Sequence, residues 1–303
     1  MIRWAFEKQG LFQPTGAPTP VATEGAPPPV DVYIEDGRHG EYQFQPVHWD
    51  CHAIWNRRNA DGGTTHEDPV VGVTNYAYVK IKNRGTQQAN NVVVKAYFAD
   101  PAAGLVYPND WTPMTTPQLS APAVPPNNAV EMMVGPFEWT PTAVGHQCMF
   151  MIVSATGDQS NVSNLSPGES IPEWRLVPHD NNIGQRNVTP VAFVSIEQLL
   201  EAIAELRFRL KNPLRGPGKM ILDVALPKTL VKRGWKLEFT NKGGAKPRLA
   251  AGKSIPISMK LVPGEPFTPA DLRREKNPAI RITAYANGII VGGMTYELTV
   301  KKG

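Results

Sequence analysis

All six histidines and both cysteines lie before residue 191. His48-x-x-Cys51-His52, with His66 and with His146 and Cys148, is the grouping whose imidazoles and thiols could ligate zinc or copper. The spacing matches no zinc finger. On a strand Cys51 and His52 would point to opposite faces, so no metal site is expected. A thiol nucleophile at Cys51 or Cys148 would need a neighbouring base to hold a thiolate. Cys148 falls in the apolar run from Gln147 to Ala155, where a cysteine behaves as a small hydrophobe. A Cys51–Cys148 disulfide stays open, since its geometry is not written in the sequence.

The carboxylates offer less. Asp61, Glu67, Asp68 and Asp158 are loop residues, and none follows the alternating spacing of a calcium loop. Turn formation accounts for them. There is no Gly-rich phosphate loop, no Gly-x-Ser-x-Gly elbow and no His-Glu-x-x-His. The expectation is a non-catalytic protein with no cofactor. Asn161, Asn164 and Asn187 begin Asn-x-Ser/Thr triplets, which matter only in a eukaryotic secretory setting.

The elements that must position these groups read as strands. The chain has 303 residues, with 26 Gly and 30 Pro. That excess of turn formers argues against a helical bundle. Two domains are the expectation at this length. Strand patterns are legible at 31–34, 52–55, 76–81, 91–98, 130–134, 137–139 and 147–155, with 187–191 closing the first domain. Residues 108–126 read as a long Pro-rich connection. The second half adds strands at 219–226, 235–239, 255–261, 279–286 and 293–300. Asn287-Gly288 predicts a tight hairpin, because both central positions need positive φ. Glu197–Leu206 alone has helical spacing, Leu199, Leu200, Ile203 and Leu206 sharing a face, though Ala204–Leu210 could equally start a strand. Short, turn-bounded strands of this kind predict β-sandwiches. No apolar run approaches the ~20 residues of a membrane helix, so no membrane insertion is expected.

Residues 1–29 lack the charged start, apolar core and small-residue cleavage site of a signal peptide. Trp4, Phe6, Leu11 and Phe12 precede Pro14, Pro18, Pro20 and Pro27–Pro29. So many prolines exclude a helix or a central strand. The segment reads either as a disordered leader or as an extended arm whose four large apolar side chains dock on a neighbour.

Charge is unevenly placed. Residues 191–303 carry 20 Lys and Arg against 9 Asp and Glu, and residues 1–190 carry 11 against 18. This split has three readings: solvated surface, a head-to-tail contact between acidic and basic domains of two copies, or a grip on a polyanion. Lys228, Lys232, Arg233, Lys236, Lys242, Lys246 and Arg248 would carry the last. Only Trp235 and Phe239 interleave with these charges, and no nucleic-acid-binding motif is present.

Asn75-Tyr-Ala-Tyr-Val-Lys-Ile-Lys-Asn-Arg-Gly85, Val92-Val-Val-Lys-Ala-Tyr97, Phe137-Glu-Trp-Thr-Pro141, Gly145-His-Gln-Cys148 and Asp180-Asn-Asn-Ile-Gly-Gln-Arg-Asn-Val188 resemble the bacterial CARDB-type immunoglobulin-like modules. The resemblance covers about residues 31–190. Phe208-Arg-Leu-Lys-Asn-Pro213 and the closing hairpin give the rest a looser immunoglobulin-like look. The expected fold is therefore all-β: two tandem immunoglobulin-like β-sandwiches with an extended Pro-rich N-terminal arm and one short linking helix. The boundaries are 1–29 for the arm, 30–190 for the acidic sandwich and 191–303 for the smaller basic one. The resemblance implies a non-catalytic module serving adhesion, spacing or assembly. The arm and the charge split add the expectation of a structural or assembly subunit that self-associates head to tail or binds another protein, with a polyanion as a further partner. The alternative is an adhesion or ligand-binding accessory module of an exported bacterial system, which would place the protein outside the cell or on its surface.

Overall fold

The computed structural model describes residues 27–42, 44–142 and 147–301. The arm residues Trp4, Phe6, Leu11 and Phe12 lie outside them. The chain is mostly β, arranged in several sheets as sandwich-like layers. In chain order the strands are β1 Val32–Ile34, β2 Ile54–Arg57, β3 Asn75–Asn83, β4 Val93–Ala99, β5 Ala102–Ala103, β6 Val106–Tyr107, β7 Thr112–Ser120, β8 Met132–Trp139, β9 Cys148–Ser154, β10 Ile171–Pro172 and β11 Ile183–Arg186. They continue as β12 Val188–Phe193, β13 Arg207–Lys211, β14 Gly218–Ala225, β15 Lys236–Phe239, β16 Arg248–Leu249, β17 Ser254–Val262, β18 Ala279–Ala286 and β19 Ile289–Val300.

In the first unit β3 pairs antiparallel with β1, β2 and β8. A second four-stranded sheet runs β11-β9-β4-β7. Period-two patterning explains the layering. Ala77, Val79 and Ile81 of β3 share one core with Val94 and Ala96 of β4, Phe137 and Trp139 of β8, and Met149, Met151 and Val153 of β9. Lys80, Lys82 and Lys95 occupy alternate positions, the first two half-buried and paired with Glu131 at 2.7 and 3.3 Å, the third exposed. Trp139 is fully buried, and its indole N–H donates to Asn56 Oδ1 at 3.0 Å, so its polar end is not left unpaired.

Three expectations are corrected here. The connection predicted at 108–126 contains β7, a nine-residue strand with Pro113 and Pro117 inside it. It stands at a sheet edge, where a missing N–H costs no ladder bond. The two strands expected at 130–134 and 137–139 are one, β8, whose register against β3 shifts between Ala77 and Val79. Residues 187–191 do not close the first unit. Of these, residues 188–191 belong to β12, which pairs in parallel with β19, a partner about a hundred residues away that no local pattern announces.

The second unit comprises Asp100–Leu105 and Asn187–Gly303, so the boundary falls after Arg186. Its sheets run β12-β19-β18-β14-β16 and β15-β17-β13-β5. Strand β5 comes from between β4 and β6 and lies parallel to Arg209–Leu210 of β13. The helix Ile196–Glu205 forms as expected. Ser195 Oγ accepts the Gln198 N–H at 3.3 Å, while Gln198 Oε1 accepts the Val194 N–H at 3.0 Å, which resembles a capping box. Leu199 and Ile203, four residues apart, are its buried positions. The hairpin turn has φ 49° at Asn287 and 82° at Gly288, as the Asn-Gly pair requires. Three further short helices, Glu173–Leu176, Lys228–Lys232 and Pro269–Arg273, are present, so the helix at 196–205 is not alone. They are too short to show helical periodicity in sequence.

Candidate functional site

The basic residues of the second unit are the sequence-predicted site that the structure describes. The helix Lys228–Lys232 starts after Pro227, which has no side-chain oxygen to cap it. Glu275 supplies the missing acceptor: its carboxylate takes the N–H of Lys228 at 3.0 Å and that of Thr229. The helix Pro269–Arg273 is closed by a capping box between Thr268 and Asp271, with Asp271 Oδ2 accepting the Thr268 N–H at 2.9 Å and its hydroxyl at 3.0 Å.

These bonds hold the Asp271 carboxyl below its usual range. Burial alone would raise Glu275, but the Thr229 and Lys228 donors outweigh it and hold it low. Both carboxylates therefore stay charged and spend their lone pairs on backbone donors.

Between the two helices lies a cleft of about 330 Å³ lined by Lys228, Lys232, Arg233 and Arg274 as well as by the two acids. Arg233 is engaged, donating to the Pro266 carbonyl and lying 3.6 Å from Asp271. Arg274 approaches Asp271 only to 3.8 Å. Lys228 and Lys232 are exposed, and among the described residues neither ammonium has an ion-pair partner. The cleft presents net positive charge and can accept an anionic group.

The predicted basic residues do not all line one hollow. Lys228, Lys232 and Arg233 line the cleft. Arg248 sits in β16 opposite Lys219 of β14, and both line a different hollow. Lys236, Lys242 and Lys246 are exposed and line neither. Arg274 was missed because about forty residues separate it from Arg233, and only the packing of two short helices joins them.

No family model matches this sequence, and no curated protein matches it. Among solved structures, red sea bream transglutaminase is 11% identical over 79% of this chain and 31% of its own, with a TM-score of 0.20. The CupB6 tip adhesin of Pseudomonas aeruginosa is 7% identical over 81% of this chain and 94% of its own, at 0.24. The exo-chitosanase CsxA of Amycolatopsis orientalis is 9% identical over 73% of this chain and 25% of its own, at 0.22. This chain thus spans less than a third of the transglutaminase. Scores this low carry no argument about function.

The histidines and cysteines are scattered. His48 is fully buried edge-on to Trp49, with ring centroids 5.2 Å apart. Burial, then the charges of Arg38 and His179, push it down to about 3, so it is neutral at physiological pH. His52 is exposed and lies 3.5 Å from Asp50. His66 Nδ1 accepts the Asn56 N–H at 3.1 Å. His146 lies outside the described residues. Cys51 and Cys148 are both buried and not joined to each other, so the disulfide left open by the sequence is not formed. Burial, then the Asp36 charge, pushes the Cys51 thiol up to about 12, the wrong direction for a nucleophile. Among the described residues no three His, Cys, Asp or Glu side chains group to hold a metal ion.

The loop carboxylates also have structural partners. Asp61 takes two bonds from Arg57, at 3.0 and 2.7 Å. Glu67 Oε2 accepts the Arg58 N–H at 2.9 Å. Asn187 is buried, and its amide donates to the Gly293 carbonyl at 3.2 Å, which closes that glycosylation triplet to a modifying enzyme.

Proposed function

We propose that this protein is a non-catalytic structural subunit of two tandem immunoglobulin-like modules, the first CARDB-like. In this reading it self-associates through opposite charges: the basic second unit of one copy meets the acidic first unit of the next. A head-to-tail contact of this kind builds rings or filaments. The arm residues Trp4, Phe6, Leu11 and Phe12 are assigned its apolar part on their sequence alone. The observation that supports the reading is how charge divides between core and surface. In the first unit four buried carboxylates, Asp31, Asp158, Glu173 and Asp180, stand against three buried guanidiniums, Arg38, Arg84 and Arg186. Burial raises Asp158 and Asp180, so the interior holds no acidic excess and that of the unit stays at its surface. In the second unit Lys228, Lys232, Lys236, Lys242, Lys246 and Arg248 are exposed.

Light scattering on a sizing column tests this at low and high salt. The expected result is a large species that dissociates as salt rises, because screening weakens contacts between charges. Lys228→Glu combined with Lys232→Glu should give a monomer at low salt. A wild-type monomer of 33.2 kDa at every salt concentration would overturn self-association and leave the ligand-binding reading.

A further inference from the structure

We propose that the first unit carries a binding groove for a short acidic oligosaccharide. The groove is about 370 Å³, lined from β4, β6, β7 and β9 and from the 3-10 turn Asn161–Asn164. That volume is in the range that holds a small ligand. Its aromatic wall is Tyr107, whose ring is held in place: the hydroxyl donates to Tyr97 Oη at 3.2 Å, and the ring stacks on Phe150 with centroids 5.6 Å apart. A fixed ring loses little entropy when a ligand binds.

The polar lining is Lys95, Gln118, Ser154, Gln159 and Ser163. Gln159 Nε2 is spent on the Ala155 carbonyl at 2.6 Å, which leaves its amide oxygen as an acceptor. Lys95, Gln118 and Ser163 are exposed, and among the described residues their side chains have no hydrogen-bond or ion-pair partner. Amide, hydroxyl and ammonium groups beside one aromatic face suit a ligand rich in hydroxyl groups. Among the described residues no carboxylate lines the groove, and Lys95 is its one charged side chain. An acidic sugar would give that ammonium its partner. An extended peptide is disfavoured, because it would bind by adding a strand to β7, whose Pro113 and Pro117 interrupt the row of donors it would need.

The test is isothermal titration of the full chain with a tetrasaccharide of galacturonic acid, and with a neutral glucose tetrasaccharide of the same length. The expected result is saturable binding of the acidic sugar, at least tenfold tighter than the neutral one. Lys95→Ala should weaken it at least tenfold, and Gln118→Ala should weaken it too, with melting temperatures unchanged because both residues are exposed. Lys253→Ala, at an exposed residue of the second unit, should bind as the wild type does. No binding of the acidic sugar would overturn the assignment. So would equal binding of both sugars, or binding that Lys95→Ala leaves intact.

Discussion

Asp158 Oδ2 accepts the backbone N–H of Val32 at 2.6 Å, joining points 126 residues apart. The same oxygen accepts from Asn182 Nδ2 at 3.2 Å, and Asn182 in turn donates to the Val32 carbonyl at 2.9 Å. Strand β1 is thus tied by side chains as well as by its pairing with β3. Beside it Asp31 takes the Arg84 guanidinium at 2.7 Å, and Asp180 accepts from Ser160 and the Asn161 N–H. A buried polar network of this kind is fully bonded or it is costly.

Burial, followed by the charge of Asp31, raises Asp158 from 3.8 to about 7. The folded state therefore holds this proton more tightly than the unfolded chain does. The stability this gives is full below pH 4 and is lost as pH rises toward 7. Asp158→Asn keeps an acceptor for Val32 and removes the charge. Relative to wild type, the variant should gain stability steadily between pH 4 and 8, measured as urea midpoints. A difference that does not change with pH would refute the account.

His48 has the opposite sign. Its folded value near 3 lies below the ordinary 6.5, so the unfolded chain binds the proton first, and stability is lost as pH falls from 6.5 toward 3. His48→Leu should remove that acid sensitivity. Denaturation curves at pH 4 and pH 7 should lie closer together for the variant than for wild type, and an unchanged gap would exclude His48 as the cause.

Gly104 sits at φ 86°, and a Cβ there would lie 2.3 Å from the Lys211 carbonyl oxygen. Only glycine lets β5 lie against β13 at this point. Gly104→Ala should cost about 1–3 kcal/mol. Gly216, which has open space around it and no positive φ, should tolerate alanine within about 0.5 kcal/mol. Chemical denaturation of the two variants side by side decides the matter.

Both thiols are buried. A small thiol reagent at neutral pH should leave the native protein unmodified and should count two thiols per chain once it is unfolded without reductant. A count of zero in the unfolded chain would show that Cys51 and Cys148 are joined.

The legible parts of the fold were those whose partners lie close in sequence. The Asn287-Gly288 hairpin, the alternating valines of β4 and the Ser195-capped helix are local, and each is set by backbone preference or a nearby side chain. The charge split between the halves is composition, and it too reads directly. The candidate site was legible only in its residue types. Lys228, Lys232 and Arg233 were visible as basic, while nothing in the sequence marked Asp271 and Glu275 as the acids that line the same cleft.

By itself the amino-acid sequence determined an all-β, turn-rich chain with an acidic and a basic part, because alternation, turn residues and charge are properties of neighbouring residues. Tertiary structure alone decided that β12 joins β19 in parallel, that β5 belongs to the second unit, and which oxygens satisfy the buried donors around Asp158 and Val32. Those outcomes depend on contacts over a hundred or more residues, where loop closure and burial choose the partner and local propensity has no say.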